Sequence, residues 1–180
     1  MIAIAAVDKN LGIGNRGRTL VSIPQDRQRM LEEIRGKTVI LGRKTLESLP
    51  QKQPFPLCRN IVLTRRNLQI HGVDTVHSVE ETLDLLRREN IPSDRVYVLG
   101  GESVYREFMP WCDRLYLTEI DYAYQADAHF PAFPPDDWEC TGESEEQTCF
   151  DLIYVYRAYW KKTPARSLEE RRTAEIRNPE

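Results

Sequence analysis

Short apolar runs alternate with helical patterns along most of the sequence. These runs predict buried strands, and they cover residues 2–7, 38–42, 60–64, 95–99 and 115–118. Continuous apolar strands that alternate with helices indicate a mostly parallel sheet with both faces covered. The stretch 150–160 instead half-alternates between apolar and polar residues, which is typical of an antiparallel edge strand. We therefore predict an α/β fold whose ligands lie near the carboxyl ends of the parallel strands.

Capping signals predict where two helices begin. Ser22 with Gln25 three residues later predicts one helix start, and Ser78 with Glu81 predicts another. In the second of these helices, three apolar residues share one face: Val79, Leu83 and Leu86.

The composition describes one globular domain without a global attraction to polyanions. The chain has 180 residues, 41% of them hydrophobic and 29% charged, so it can bury a core. Its net charge of −3 gives no reason to expect nucleic acid or an anionic membrane as a partner. Residues 161–180 contain six basic and four acidic residues, and we expect 162–180 to be a charged extension of a domain that spans 1–161.

The cysteines and the N-terminal residues favour a reduced, cytoplasmic protein. The four cysteines form no CxxC pair, which argues against a disulfide scaffold and a zinc site: Cys58, Cys112, Cys140 and Cys149. The chain has three histidines and no thiol near His129, so we expect no metal. The first ten residues lack a basic segment and a long apolar run, so we expect neither a signal peptide nor a membrane anchor.

The GxGxxG match at residues 12–17 is not expected to bind a dinucleotide. A Rossmann fingerprint places its third glycine inside a helix, whereas the residues after Gly17 reach Pro24 before a helix can begin. The next predicted strand also lacks a terminal acid that could bind a ribose. We predict a mobile glycine-rich loop at this position.

Two strand–helix junctions suit phosphate groups better. Residues 41–45 (LGRKT) and 99–105 (LGGESVY) leave a strand and enter a helix, and their glycines allow close approach of a ligand to the backbone. Arg65 follows a third strand and adds a basic group. Two phosphate cradles together with arginines predict a dinucleotide with an extra phosphate, NADPH rather than NADH.

Asp26 is a candidate for binding a heterocycle. Helical spacing aligns it with Met30 and Ile34, so its carboxylate shares a face with apolar residues. An aspartate in the first turn of a helix can also serve only to complement the helix dipole. If the face is buried, the carboxylate needs a partner, and an amidine-like heterocycle supplies two parallel hydrogen bonds.

Ordered blocks of the sequence resemble dihydrofolate reductase over about residues 1–161. The blocks are Ile4-Ala5-Ala6-Val7-Asp8, Gly12-Ile13-Gly14, Ser22-Ile23-Pro24 with Asp26, Leu41-Gly42-Arg43-Lys44-Thr45 with Glu47-Ser48, Asn60-Ile61-Val62-Leu63-Thr64, Leu99-Gly100-Gly101 with Val104-Tyr105, Leu117-Thr118 with Ile120-Asp121, and Asp127-x-His129-Phe130-Pro131. The resemblance implies a single-domain α/β fold, with a mostly parallel eight-stranded sheet, an antiparallel C-terminal edge strand and flanking helices. It also implies a monomer.

The resemblance implies a reaction and a group of substrate contacts. Hydride passes from C4 of NADPH to C6 of 7,8-dihydrofolate, and water protonates N5. Asp26 holds the pterin ring with support from Thr118, and these two are the implied catalytic residues. The other implied substrate contacts are Ile4, Ala5, Arg27, Met30, Leu49, Lys52, Arg59 and Leu99.

The same resemblance implies the cofactor contacts. Residues 12–21 are the implied lid over the nicotinamide. The implied NADPH-binding residues are Ala6, Ile13, Gly14, Gly42, Arg43, Lys44, Thr45, Leu63, Thr64, Arg65, His77, Leu99, Gly100, Gly101, Glu102, Ser103, Val104 and Tyr105.

The sequence departs from the usual residues of the family at four positions: Val21, Arg27, Met30 and Cys58. Cys58 stands where the family has the arginine that grips the α-carboxylate of the substrate's glutamate tail. Arg59 is the next residue, but in an extended strand it points to the opposite face. Either Lys52, Arg27 or Arg59 substitutes, or folate binds weakly. We expect a raised Michaelis constant for dihydrofolate, which Cys58→Arg would lower.

Two other functions are compatible with the sequence. A reductase of a riboflavin-pathway pyrimidine shares the fold, although Asp26, Thr118 and the block 129–131 favour folate. A non-catalytic paralogue that binds NADPH is the second alternative, because the substrate pocket is substituted.

Overall fold

A central sheet with helices on both faces forms the described part of the protein. The structure is a computed structural model that describes residues 1–163. The strands are β1 (Ile2–Val7), β2 (Gly12–Asn15), β3 (Arg18–Thr19), β4 (Thr38–Gly42), β5 (Arg59–Leu63), β6 (Asp74–Val76), β7 (Val96–Val98), β8 (Arg114–Ile120), β9 (Ala128–His129), β10 (Trp138–Glu143), β11 (Gln147–Cys149) and β12 (Leu152–Lys161). The helices are α1 (Pro24–Glu33), α2 (Arg43–Ser48), α3 (Val79–Arg88) and α4 (Glu102–Phe108). Most of the predicted C-terminal extension, residues 164–180, lies outside the described residues.

The sheet is mostly parallel, as predicted. Strands β8, β1, β7, β4, β5 and β6 lie side by side in this order and run in one direction. The C-terminal strand β12 pairs antiparallel with β8, which also confirms the prediction. The sheet has nine strands in the described residues where eight were expected, and β12 is not its edge, because β10 and the short β11 both pair with β12. Only Trp138 is buried in β10, so this strand contains no apolar run that could have predicted it.

Apolar side chains on both faces of the sheet explain the continuous apolar runs. Successive residues of β4 point to opposite faces. Ile40 belongs to the core under α3 and α4, whereas Val39 and Leu41 belong to the core under α1 and α2. Apolar residues therefore follow one another along β4, as expected for a strand in a sheet whose two faces are both covered.

Helix α1 begins at Pro24 without the predicted serine cap. Ile23 occupies the N-cap position, and no side chain caps the helix. Proline suits the first helical position because it has no N–H group that needs an acceptor there. Ile23 is 5% exposed and packs with Ile120 and Tyr154, so burial of this side chain fixes the start of the helix.

Helix α3 keeps its predicted cap. Ser78 Oγ accepts a hydrogen bond from the backbone N–H of Glu81 at 3.0 Å. The Glu81 carboxylate accepts one from the backbone N–H of His77 at 2.7 Å. Leu83 and Leu86 on the predicted face are buried.

The GxGxxG segment forms a hairpin where a loop was predicted. Strands β2 and β3 pair with each other, and β2 also pairs with β9. Gly17 forms the turn with φ +74°, outside any helix, so the segment lacks the Rossmann geometry. Asp127 holds the turn from the side, because its carboxylate accepts a hydrogen bond from the Arg16 N–H at 2.9 Å. We call residues 12–19 the glycine hairpin.

The described residues contain neither a helix that could span a membrane nor a cluster that could bind a metal ion. None of the helices in residues 1–163 is long and apolar enough to cross a bilayer. This part of the chain contains no group of three or more His, Cys, Asp or Glu side chains that could hold a metal ion. Its four cysteines are free thiols.

Candidate active site

A cleft of about 330 Å³ opens at the carboxyl ends of β1 and β7. Its size is in the usual range for small-molecule sites. The walls come from β1, the glycine hairpin, the first turns of α1 and α2, and the start of α4. The structure brings these predicted site residues together in its walls: Ile4, Ala5, Ala6, Ile13, Gly14, Asp26, Arg27, Met30, Lys44, Thr45, Leu99, Gly101, Glu102 and Tyr105.

Asp26 lies in the cleft wall and is bound by Thr118. Thr118 Oγ1 donates a hydrogen bond of 2.5 Å to Asp26 Oδ1. Thr118 is 5% exposed and lies in β8 directly opposite Ala6 of β1. No other side chain in residues 1–163 hydrogen-bonds the Asp26 carboxylate, so its second oxygen is available to a ligand.

The environment of Asp26 disfavours its charged form. Burial raises the pKa of this carboxyl above its usual value of 3.8, and burial is the largest influence on it. The hydrogen bond from Thr118 and the positive charge of Arg29 act in the opposite direction. A carboxylate in such a position gains from a ligand that brings N–H donors to it.

A second cavity of about 470 Å³ lies on the other side of Asp26. Asp26 and Thr118 line this cavity, together with side chains from α1 and β12. The Arg29 guanidinium lies over the ring of Tyr156, at 3.8 Å from its centroid. Tyr156 therefore holds a positive charge close to Asp26 without neutralising it.

We expect Arg29→Gln to raise the pKa of Asp26 further. The charge of Arg29 lowers that pKa, and glutamine has a similar helix propensity but no charge. An NMR titration of the Asp26 carboxyl carbon measures the change. Arg35→Gln is the matched control, because Arg35 is an exposed arginine just beyond the same helix. Equal shifts in the two variants would contradict a specific effect of Arg29.

A buried carboxylate ties the glycine hairpin to the rest of the fold. Asp8 is 3% exposed, and its Oδ1 accepts hydrogen bonds from the backbone N–H groups of Asn10 at 2.8 Å and Gly12 at 2.7 Å. Its Oδ2 accepts a third from Tyr124 N–H at 2.8 Å. A Cβ on Gly12 would lie 2.9 Å from the carboxylate, so a glycine is needed for this approach.

We expect Asp8→Ala to lower the free energy of unfolding by about 2–4 kcal/mol, because three backbone N–H groups lose their acceptor. Chemical denaturation measures this loss, and amide exchange should accelerate at Gly12 and Tyr124. Asp121→Ala is the control, since the exposed Asp121 pairs only with Lys9 in the described part of the chain. For this control we expect the free energy of unfolding to fall by no more than about 0.5 kcal/mol. If both variants were equally stable, Asp8 would not be the anchor of the hairpin.

Four neighbouring strand ends form the candidate cofactor surface. Strands β7, β4, β5 and β6 are adjacent and parallel, so the residues that follow them meet at one edge of the sheet. The backbone N–H of Gly42 donates a hydrogen bond of 2.8 Å to Gly100 O, which joins the first two strand ends. The predicted cofactor residues are 99–105 after β7, 42–45 after β4, 63–65 in and after β5, and His77 after β6.

Two of these strand ends fit phosphate groups. Helices α2 and α4 have glycines at their N-cap positions, Gly42 and Gly101, and no side chain caps either helix. Their first N–H groups are therefore free to bind an anion. A Cβ on Gly42 would lie 3.2 Å from Val104, and one on Gly101 would lie 3.4 Å from Thr45 Oγ1. The two glycines thus let the strand ends approach each other closely.

Basic side chains surround the two glycine junctions. Lys44 and Arg65 are exposed and make no ion pair with other residues in 1–163. Arg43 pairs with Glu47 one turn further along α2, at 2.5 Å. This edge of the sheet therefore fits a dinucleotide that carries an additional phosphate.

The sequence of almost the whole described chain matches one known family. Residues 1–161 match the sequence model of the family described as dihydrofolate reductase. The chain belongs to this family. It is 30% identical over 169 residues to the dihydrofolate reductase of Bacillus subtilis, covering 91% of this chain and 96% of the relative. It is 33% identical over 156 residues to that of Staphylococcus haemolyticus, covering 84% and 90%.

A solved member of the family has the same architecture. This is a dihydrofolate reductase from Enterococcus faecalis complexed with NADP(H) and RAB-propyl. The two structures superpose with a TM-score of 0.78 at 29% sequence identity, over 90% of this chain and 96% of the other. The match confirms the predicted dihydrofolate reductase fold.

Four implied substrate contacts do not line the cleft, and one of them, Thr118, lines the second cavity beside Asp26 instead. Arg59 forms ion pairs with Asp74 at 2.7 Å and with Glu89, so its guanidinium is not free to bind substrate. Lys52 is exposed outside the cleft wall. Leu49 packs against the core under α1 and α2. The implied role of Arg59 therefore has no support in the structure.

Several implied cofactor contacts also point away from the cleft. The side chain of Val104 is 3% exposed and belongs to the core under α3 and α4, and Leu63 packs against the same core. Ser103 is exposed but does not line the cleft. Val104 can therefore contact a cofactor only through its backbone.

Sequence reasoning missed four apolar wall residues: Ile23, Phe55, Ile120 and Ala128. Phe55 is 6% exposed, although it lies between two prolines in a segment without a helix or strand pattern. The only indication of its burial in the sequence is that it is aromatic, because no periodic pattern of apolar residues surrounds it. The missed residues reach the cleft through tertiary packing.

Proposed function

We propose that the protein reduces 7,8-dihydrofolate to 5,6,7,8-tetrahydrofolate, consuming NADPH and one proton and releasing NADP⁺. Asp26 carries this proposal: a half-buried carboxylate with one free oxygen lies in the wall of a cleft that ends at two glycine junctions. Membership of the dihydrofolate reductase family supports it, as does the complex of the Enterococcus faecalis relative with NADP(H).

Asp26 orients the substrate in the proposed mechanism. Its carboxylate accepts hydrogen bonds from N3–H and the 2-amino group of the pterin ring, while Thr118 holds the carboxylate in place. The negative charge raises the basicity of N5 electrostatically, and a water molecule admitted past the glycine hairpin protonates N5. Asp26 thus prepares the ring for reduction without delivering the proton itself.

The glycine junctions and their basic neighbours are the proposed cofactor site. NADPH supplies the hydride that C6 of the substrate receives. The N–H groups at the starts of α2 and α4 bind the phosphates of the cofactor. Lys44, Arg65 and Thr64 surround the additional phosphate, and the exposed His77 borders the adenine. The glycine hairpin lines the same cleft, so it would cover the nicotinamide of a bound cofactor and exclude water from it.

The family match does not favour the two alternative functions. A riboflavin-pathway pyrimidine reductase would not be expected to match a dihydrofolate reductase family model over residues 1–161. A non-catalytic paralogue would not need the Asp26–Thr118 pair that the structure assembles.

Loss of NADPH absorbance in the presence of dihydrofolate tests the proposed function. We expect turnover that methotrexate abolishes. Turnover that resists the antifolate would favour a pyrimidine substrate. NADPH binding without turnover would favour the non-catalytic paralogue.

We also propose that the protein is a cytoplasmic monomer that supplies tetrahydrofolate to one-carbon metabolism. Four free thiols suit a reducing compartment. Size-exclusion chromatography with light scattering tests the monomer, and a dimer mass would overturn it.

A further inference from the structure

The cleft lacks a cation at the position where the family has its tail-binding arginine. Cys58 occupies that position, and its thiol donates a hydrogen bond to Phe55 O at 3.5 Å. Burial raises the pKa of the Cys58 thiol, so the group stays neutral. Arg59 pairs with Asp74 and Glu89 on the other side of the strand. Neither residue offers a positive charge to a carboxylate in the cleft.

Three cations line the cleft within residues 1–163: Arg18, Arg27 and Lys44. Lys44 is the second residue of α2 and belongs to the cofactor surface, and Arg18 belongs to the glycine hairpin. Arg27 follows Asp26 directly on α1. No ion pair, side-chain hydrogen bond or ring contact in the described part of the chain involves the Arg27 guanidinium.

Helix geometry separates Arg27 from the other arginine near Asp26. Two residues along an α-helix turn by about 200°, so Arg27 and Arg29 point in different directions. Arg29 lies over Tyr156 and lines the second cavity, whereas Arg27 lines the cleft. The first turn of α1 therefore presents a carboxylate and an unpaired guanidinium to the same cleft.

We propose that Arg27 receives the carboxylate of the substrate's glutamate tail, in place of a cation at the start of β5. The inference rests on the proposed reduction of dihydrofolate and identifies how its anionic tail is selected. A guanidinium can bind a carboxylate through two parallel hydrogen bonds. Because Arg27 is exposed, this contact is weakened by salt.

The experiment compares two substrates in Arg27→Leu. One substrate is 7,8-dihydrofolate, and the other is 6-methyl-7,8-dihydropterin, which has a methyl group in place of the anionic tail. We expect kcat/KM for dihydrofolate to fall by about tenfold or more through a higher KM, since a charge-assisted hydrogen bond is lost. The values for the tail-less substrate should not change. Arg27→Lys should restore part of the loss.

One further variant and a salt titration separate this role from general effects of charge. Arg35→Leu removes an exposed arginine just beyond the same helix, and it should leave both substrates unaffected. The KM for dihydrofolate should rise with ionic strength in the wild type, and much less in Arg27→Leu.

Three results would overturn the assignment of Arg27. They are an unchanged KM for dihydrofolate in Arg27→Leu, an equal loss with the tail-less substrate, and a loss of the same size confined to Lys52→Leu. Circular dichroism checks that each variant is folded. Failure of the proposed function looks different, because the wild type would then turn over neither substrate.

Discussion

We expect Asp26→Asn to lower turnover of dihydrofolate at neutral pH by about 100-fold or more and to leave NADPH binding unchanged. Asparagine keeps an oxygen that can accept the hydrogen bond from Thr118, so the geometry of the wall is preserved. It removes the negative charge that orients the pterin ring and raises the basicity of N5. Steady-state kinetics and a fluorescence titration with NADPH measure the two quantities. Near-wild-type turnover would remove Asp26 from the mechanism.

The same variant should increase the stability of the protein at neutral pH, although it lowers turnover. Burial raises the pKa of Asp26 above 3.8, so the folded protein holds this proton more tightly than the unfolded chain does. The contribution of Asp26 to stability is therefore fully present below about pH 3.8 and is lost as the pH rises through the folded pKa. At neutral pH we expect Asp26→Asn to melt at a higher temperature than the wild type. The difference should disappear under acidic conditions.

Thr118→Val controls for the stability effect. It removes the hydrogen bond that lowers the pKa of Asp26, so the charged carboxylate becomes less favourable at neutral pH. This variant should melt at a lower temperature than the wild type, opposite to Asp26→Asn. If both variants changed the melting temperature in the same direction, the desolvation of Asp26 would not explain the higher melting temperature of Asp26→Asn.

Gly100→Ala lowers the free energy of unfolding by about 3 kcal/mol and weakens NADPH binding, because two penalties coincide at this glycine. Gly100 has φ +98°, a region that residues with a Cβ rarely adopt. Its Cβ would lie 2.7 Å from the ring of Tyr105. That ring cannot move freely, because Tyr105 is buried and its hydroxyl donates a hydrogen bond of 2.7 Å to Ile4 O. Denaturant unfolding and NADPH titration measure the two losses.

Gly36→Ala is the matched control for Gly100→Ala. Gly36 also has a positive φ, +68°, but no atom lies within 4 Å of its Cβ position. Only the backbone penalty applies to Gly36→Ala. We therefore expect its free energy of unfolding to fall by about 1 kcal/mol, with unchanged NADPH binding. Equal losses in the two variants would show that Tyr105 does not restrict Gly100.

The strands of the fold and the position of Asp26 could be predicted because their signals are local. The predicted parallel strands contain apolar runs, since both faces of the sheet are covered there. Asp26 shares a helical face with Met30 and Ile34, and in the structure the first two are partly buried while Ile34 is fully buried. Periodicity and burial are coupled within a few residues in both cases, so one sequence suffices.

The missed elements depend on contacts between distant segments. The polar strand β10 exists because it pairs with β12, and the glycine hairpin exists because β2 pairs with β9. The start of α1 depends on Ile23 packing with Ile120 and Tyr154 instead of on a cap at Ser22. Pairing and packing of this kind leave no pattern in the segment itself.

The sequence by itself determined the α/β class, the glycine junctions at the strand ends and a candidate carboxylate on α1, because periodicity and turn chemistry are properties of short segments. Only the tertiary structure decided which charged side chains are free to bind a ligand. Arg59 meets Asp74 and Glu89, and Arg29 meets Tyr156, whereas Arg27 meets no partner in the described residues. Partner choice depends on distances between residues far apart in the chain, and the folded backbone sets those distances.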